Sequence, residues 1–212
     1  MDKLQAWYDE KNSQLDAWRP ARCYKFLIER FTTPLFIGES FLDIGCGHGR
    51  LLKIAADGMC VTTGIDFSEE ACQISRKNSP GSKVINMSME ELGTIKERFG
   101  YISCVGALEH SKDIAKSLLN IVSRGKSYAE YLFVVPNSLF LFAGTEQEQE
   151  TLLTLDQWTR VFKGAGLKVL NVTKDPLYEK YTGFKKFLAM TFLKLLPLKC
   201  TYQFIFVLKK GA

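Results

Sequence analysis

Short apolar runs alternate with segments of helical periodicity along most of this chain. Phe41-Leu42-Asp43-Ile44 is apolar but for one carboxylate, and Leu51-Leu52-Lys53-Ile54-Ala55-Ala56 places apolar residues at helical spacing, which predicts a buried strand running into a helix. The alternation then repeats. Gly58 to Asp66 predicts a second strand, and Ser68 caps a helix that opens on Glu69 and Glu70, acids suited to a first turn. Lys83 to Met87 and Tyr101 to Val105 predict a third and a fourth strand, Asp113 to Ser123 a helix, and Glu130 to Asn137 a fifth strand buried on both faces. Thr154 caps a helix that ends at Gly164 or Gly166, and Leu167 to Val172 and Cys200 to Leu208 predict the last two strands. Strands alternating with helices predict an α/β domain.

Two segments stand outside this alternation. Residues 1–36 read as an N-terminal helical cap, rich in Trp7, Tyr8, Trp18 and Tyr24, with Pro20 marking a break between helices. Residues 173–199 form an insert between the last two strands, in which Phe184, Phe187, Leu188, Met190, Phe192 and Leu195 share a helix with Lys185, Lys186 and Lys194 until Pro197 stops it. A pocket lid, a membrane-surface helix over 183–199 and a dimer contact are all open to it. With 212 residues the whole chain, 1–212, reads as a single domain.

The chemistry begins at the end of the first strand. Gly45, Gly47 and Gly49 follow within five residues and lead into a helix, where unpaired backbone amides and the absence of side chains admit a ligand. A dinucleotide fingerprint would need its third glycine at position 50, where Arg50 stands. Asp66 ends the second strand, 19 residues after Gly47, at the distance where such a βαβ unit holds a ribose through its vicinal hydroxyls. An adenosine-type ligand is expected.

Composition adds limits. The six cysteines contain no Cys-x-x-Cys pair, so structural zinc is not expected and the thiols read as reduced and mostly buried. The uncharged run Tyr131 to Gly144 is shorter than the roughly 18 to 20 residues of a membrane span. Met1-Asp2-Lys3-Leu4-Gln5 lacks the pattern of an export signal, so a cytoplasmic location is expected. From position 160 onward 11 Lys and Arg face only Asp175 and Glu179, a basic quarter open to an anionic substrate, RNA or a membrane surface, or simply to solvated lysines.

Asp-x-Gly-x-Gly-x-Gly over Asp43 to Gly49, Leu108-Glu109-His110 at the end of the fourth strand and Val135-Pro136-Asn137 at the end of the fifth resemble class I S-adenosylmethionine-dependent methyltransferases. The likeness is to their small-molecule branch, including the ubiquinone-pathway O-methyltransferases. It implies a doubly wound, seven-stranded, mostly parallel sheet with an antiparallel last strand, and S-adenosylmethionine as cofactor with S-adenosylhomocysteine as product. It assigns cofactor contacts to Asp43, Gly45, Cys46, Gly47, Gly49, Asp66, Phe67, Ser88, Met89, Glu90, Gly106 and Leu108, and to Arg22, where Pro20-Ala21-Arg22 matches a Pro-x-Arg that meets the cofactor carboxylate. Ser88 stands where relatives often carry an Asp on the adenine amino group. Gly106 stands where some carry a further acid, so no metal site is expected.

Tyr8, Glu109 and Asn137 are candidate substrate contacts, and His110 is the candidate general base, with ordering of the pocket as its alternative role. The expected activity is methyl transfer to an oxygen or nitrogen of a small metabolite, by a monomer or a homodimer. An RNA or protein methyltransferase and a non-catalytic methyltransferase-like binding protein are the alternatives.

Overall fold

The computed structural model describes residues 21–140, 150–175 and 195–211. Seven strands make one sheet: β1 (Ser40–Ile44), β2 (Val61–Asp66), β3 (Lys83–Asn86), β4 (Phe99–Val105), β5 (Gly125–Pro136), β6 (Leu167–Lys174) and β7 (Gln203–Lys210). Their spatial order is β3-β2-β1-β4-β5-β7-β6. The first five pair in parallel, and β7 lies antiparallel between β5 and β6. Strand order therefore reverses at β1 and β4. In open α/β sheets that reversal opens a crevice at the C-terminal strand ends, where ligands bind.

Helices α1 (Ala21–Ile28), α2 (Arg50–Asp57), α3 (Glu69–Asn78), α4 (Ile114–Arg124) and α5 (Leu155–Gly164) cover the sheet. Side chains alternate between two cores. Phe41, Leu132, Val134 and Ile205 join Leu27, Leu51 and Leu52 on one face, while Leu42, Ile44, Tyr131, Phe133, Phe204 and Phe206 join Leu118, Ile121, Trp158 and Phe162 on the other. Both faces of the central strands are thus buried, which explains why β5 reads as an unbroken apolar run. Phe162 lies 4.9 Å from both Phe133 and Phe206, and Trp158 donates its indole N–H to the Pro136 carbonyl at 2.8 Å.

The predicted caps form. Ser68 Oγ accepts from Ala71 N, and Thr154 makes a reciprocal box with Gln157. The strand β5, by contrast, starts at Gly125, directly after α4, rather than at Glu130. Its first residues are polar because their partners are polar: Lys126 Nζ and Tyr128 OH reach the buried Glu39 carboxylate at 2.5 and 2.8 Å. Glu130 then accepts from the Thr32 and Thr33 amides at 2.7 and 3.1 Å, which fastens the segment after α1 to the sheet.

Of the cap 1–36, residues 1–20 lie outside the described residues, as do 176–194 of the insert. All six cysteines are free, and only Cys200 is not fully buried. Among the described residues no helix is long and apolar enough to cross a membrane.

Candidate active site

The three glycines after β1 all have left-handed backbone, with φ of 66° at Gly45, 49° at Gly47 and 73° at Gly49. Their surroundings differ. A Cβ at Gly45 would stand 2.4 Å from the Ala107 Cβ, and one at Gly49 would stand 2.4 Å from Ser75 Oγ. At Gly47 a Cβ would meet nothing within 4 Å. The outer glycines let protein pack on protein, while the middle one borders open space.

Asp66, at the end of β2, ties the loop down. Its Oδ2 accepts from Gly47 N at 2.8 Å and its Oδ1 from Ser68 N at 3.0 Å. Each carboxylate oxygen has further acceptor capacity, so two vicinal hydroxyls can still be received. Cys46 N donates to the Ile65 carbonyl and Gly49 N to the Cys46 carbonyl. The Cys46 thiol is buried against Ser75, and burial pushes its pKa well up, so it is an inert packing group.

Asp43 lies inside the sheet, where Oδ1 accepts from Ser103 Oγ of β4 at 2.6 Å. Burial raises its pKa to about 7, helped by the nearby Asp66 charge and opposed by the Ser103 hydrogen bond.

On the far side of the crevice, Ser88 opens the 3-10 helix Met89–Thr94, with Ser88 N donating to Glu91 Oε2 at 3.1 Å. Glu90 accepts from the Ser88 hydroxyl, from Ser111 Oγ at 3.1 Å and from Lys112 N at 3.3 Å. After β4, Gly106 takes φ 64° and donates its amide to the Val134 carbonyl at 3.0 Å. Leu108, Glu109 and His110 then make a 3-10 turn, one step beyond the strand rather than on its end. A positive φ at Gly106 breaks the extended run, which the apolar pattern alone did not reveal.

Leu108 points into the core, and the Glu109 carbonyl accepts from Thr151 N at 2.9 Å. His110 is largely buried, with Nε2 3.9 Å from Glu150 Oε1, and burial lowers its pKa to about 4. Its imidazole is therefore neutral at physiological pH. An NMR titration of the His110 ring protons is expected to leave them unchanged from about pH 8 to pH 5.5, where an exposed histidine would already have charged.

With this geometry in view, comparison with known proteins is decisive. Residues 42–126 match the family model described as a methyltransferase domain. The ubiquinone biosynthesis O-methyltransferase of Hahella chejuensis is 30% identical over 205 residues, covering 85% of this chain and 84% of the relative. The chain belongs to the class I S-adenosylmethionine-dependent methyltransferases. The Coxiella burnetii protein of the same name is 24% identical over 196 residues, covering 81% of each chain.

Solved structures agree on the fold of this methyltransferase. A chain from the complex between the Haloferax volcanii Trm112 methyltransferase activator and a methyltransferase superposes with a TM-score of 0.79 at 17% identity, covering 100% of this chain and 99% of that one. A Thiobacillus denitrificans S-adenosylmethionine-dependent methyltransferase in complex with S-adenosylhomocysteine gives 0.67 at 17% identity, with 99% of both chains covered.

The methyl donor, S-adenosylmethionine, fits the residues present: an open position at Gly47, a ribose-competent carboxylate at Asp66 and, across the crevice, the Ser88–Glu90 loop and the Gly106 bend. Other expected contacts fall elsewhere. Asp43 and Cys46 support the loop from inside, and the Leu108 side chain belongs to the core, so only its backbone can face a ligand.

Asn137, expected at the substrate, spends its amide on backbone. Nδ2 donates to the Lys199 and Thr201 carbonyls at 2.9 and 2.7 Å, and Oδ1 accepts from Leu139 N at 3.1 Å. It clamps the chain after β5 to the chain before β7. Phe67 and Met89 are half-buried near the crevice, Arg22 is exposed on the first turn of α1, and Tyr8 lies outside the described residues.

Sequence reasoning missed Ser103, Ser111 and Glu150. Ser103 pairs directly with Asp43 across β1 and β4, Ser111 comes one residue after His110, and Glu150 ends the acidic run Gly144 to Glu150, which carried no sign of its partner. Among the described residues no three of His, Cys, Asp and Glu are grouped to hold a metal ion.

Asp43 also has a thermodynamic consequence. Its folded pKa of about 7 stands above the ordinary 3.8, so its contribution to stability is full below about pH 4 and is lost as pH rises to about 7. Asp43→Asn keeps an acceptor for Ser103 and removes this loss. Its stability relative to wild type, from urea unfolding, should climb between about pH 4 and 7 and then level off.

Proposed function

We propose that this methyltransferase moves the methyl group to an oxygen of a small metabolite, with His110 as general base; a nitrogen acceptor is the nearest variant of the same reading. The observation that carries it is the place of the His110 imidazole, on the turn after β4 at the same C-terminal end of the sheet as the glycine loop and Asp66, with Glu150 3.9 Å away. A hydroxyl acceptor has to lose its proton as it is methylated, and a neutral imidazole within reach can take it. The relatives named O-methyltransferase support an oxygen acceptor.

S-adenosylmethionine supplies an activated methyl group on its sulfonium. The chain's own part is to hold the acceptor in line, exclude water and remove the proton. Asp66 and Gly47 would hold the nucleoside, the Ser88–Glu90 loop would wall the adenine, and His110 would receive the hydroxyl proton. Glu150 stands close enough to steady the imidazolium that forms.

The test is transfer from methyl-labelled S-adenosylmethionine to a panel of small hydroxyl- and amine-bearing metabolites, with total RNA and unfolded protein as rival acceptors. Label in the small-molecule fraction, lost by about a hundredfold or more in His110→Ala with S-adenosylhomocysteine binding intact, is the expected result. Label confined to RNA or protein would overturn the reading.

A further inference from the structure

Glu90 joins two parts of the site that the sheet does not. The 3-10 helix Met89–Thr94 follows β3, whereas Ser111 and Lys112 follow β4 and the His110 turn. In the sheet, β2 and β1 lie between β3 and β4. No ladder of strand hydrogen bonds therefore couples these two loops directly.

The Glu90 side chain spans the gap. One carboxylate oxygen accepts from the Ser88 hydroxyl, and the other accepts from Ser111 Oγ at 3.1 Å and Lys112 N at 3.3 Å. Around it the link is reinforced: Asn120 Nδ2 of α4 donates to the Glu90 carbonyl at 2.9 Å, and the Ser111 and Ser117 hydroxyls are 2.8 Å apart. A surface glutamate in the first turn of a short helix needs none of these partners.

We propose that Glu90 is a positioning residue that locks the cofactor-side loop, Ser88–Met89, to the turn that presents His110. This rests on the reading of those two elements given above. One carboxylate then sets both the wall of the nucleoside pocket and the seat of the base, so that the order of one is felt by the other. Burial by itself would raise the Glu90 pKa, and the donors from Ser88, Lys112 and Ser111 outweigh it and lower the pKa below its ordinary value. The brace is accordingly an ionised carboxylate with charge-assisted hydrogen bonds.

Two readouts that need no knowledge of the acceptor test this in the full chain: S-adenosylhomocysteine affinity by calorimetry, and the His110 titration by NMR. Glu90→Ala should weaken binding about tenfold, the effect of roughly one net hydrogen bond. It should also move the His110 pKa from about 4 upward toward the ordinary 6.5 as water reaches the ring. Ser111→Ala removes one of the donors on the carboxylate and should show both effects at smaller size; it decides the matter if Glu90→Ala does not fold, and a His110 titration that moves with affinity unchanged would overturn the coupling. Glu90→Gln keeps one acceptor oxygen but loses the charge and the second acceptor, and should fall between wild type and alanine in both.

Lys83→Ala, which removes an exposed ion pair with Glu97 in the segment before β4, should alter neither. A folded Glu90→Ala with both readouts at wild-type values would overturn the proposal. So would lost affinity with an unmoved His110 titration, which would make Glu90 a direct cofactor contact. A wild-type protein that fails to bind S-adenosylhomocysteine would instead strike the parent reading.

Discussion

Asp66→Ala lowers S-adenosylhomocysteine affinity by about a hundredfold or more. A carboxylate that accepts two hydroxyls makes two charge-assisted hydrogen bonds, each contributing roughly 1.5–3 kcal/mol, and every 1.4 kcal/mol or so is tenfold in affinity. The same variant also leaves Gly47 N and Ser68 N without their acceptor, at a cost of about 1–3 kcal/mol in stability. Circular dichroism beside the calorimetry separates the two effects. Asp66→Asn, which keeps one acceptor oxygen, should be the milder variant in both. If alanine binds as tightly as wild type, the ribose is not held at the end of β2.

Gly45→Ala and Gly47→Ala, two residues apart in one loop, should fail in different ways. At Gly45 the new methyl would meet Ala107 at 2.4 Å on a backbone with φ of 66°. Left-handed strain of about 1–2 kcal/mol and overpacking of about 1–3 kcal/mol add to a loss of about 2–5 kcal/mol. In a chain of this size that lowers the melting temperature by roughly 4–20 °C. Adding Ala107→Gly removes the collision but not the strain and should restore about half.

At Gly47 the new Cβ meets no protein atom within 4 Å, so only the strain remains and melting falls by roughly 2–8 °C. Cofactor affinity is what suffers there, because the methyl enters the space left for the ligand. Equal affinity in Gly47→Ala and wild type would place the cofactor elsewhere.

How far the sequence carries this account depends on the kind of interaction involved. Alternating apolar runs placed all seven strands, and local hydrogen bonding placed the caps at Ser68 and Thr154, because both depend on residues close in the chain. The start of β5 was hidden, since Lys126 and Tyr128 are polar for the sake of Glu39, nearly ninety positions earlier.

In the site, the glycine loop and Asp66 were legible from their spacing alone, yet nothing in that spacing distinguishes the two glycines packed on protein from the one that faces open space. That difference lies in Ala107 and Ser75. The partners of Asn137 were hidden for a related reason: they are backbone carbonyls at 199 and 201, which carry no side-chain signature. Glu90 was assigned to the cofactor by the resemblance, and only the fold brings Ser111 and Lys112 to it. Tyr8 and most of the basic insert lie outside the described residues.

The most direct measurement is a crystal structure of this methyltransferase with S-adenosylhomocysteine. The account predicts the nucleoside at the C-terminal ends of β1 and β2, with both ribose hydroxyls on Asp66, backbone contact at Gly47, and the adenine between the Ser88–Glu90 loop and the turn that begins at Gly106. A nucleoside bound away from Asp66, or one that leaves the space at Gly47 empty, would contradict it.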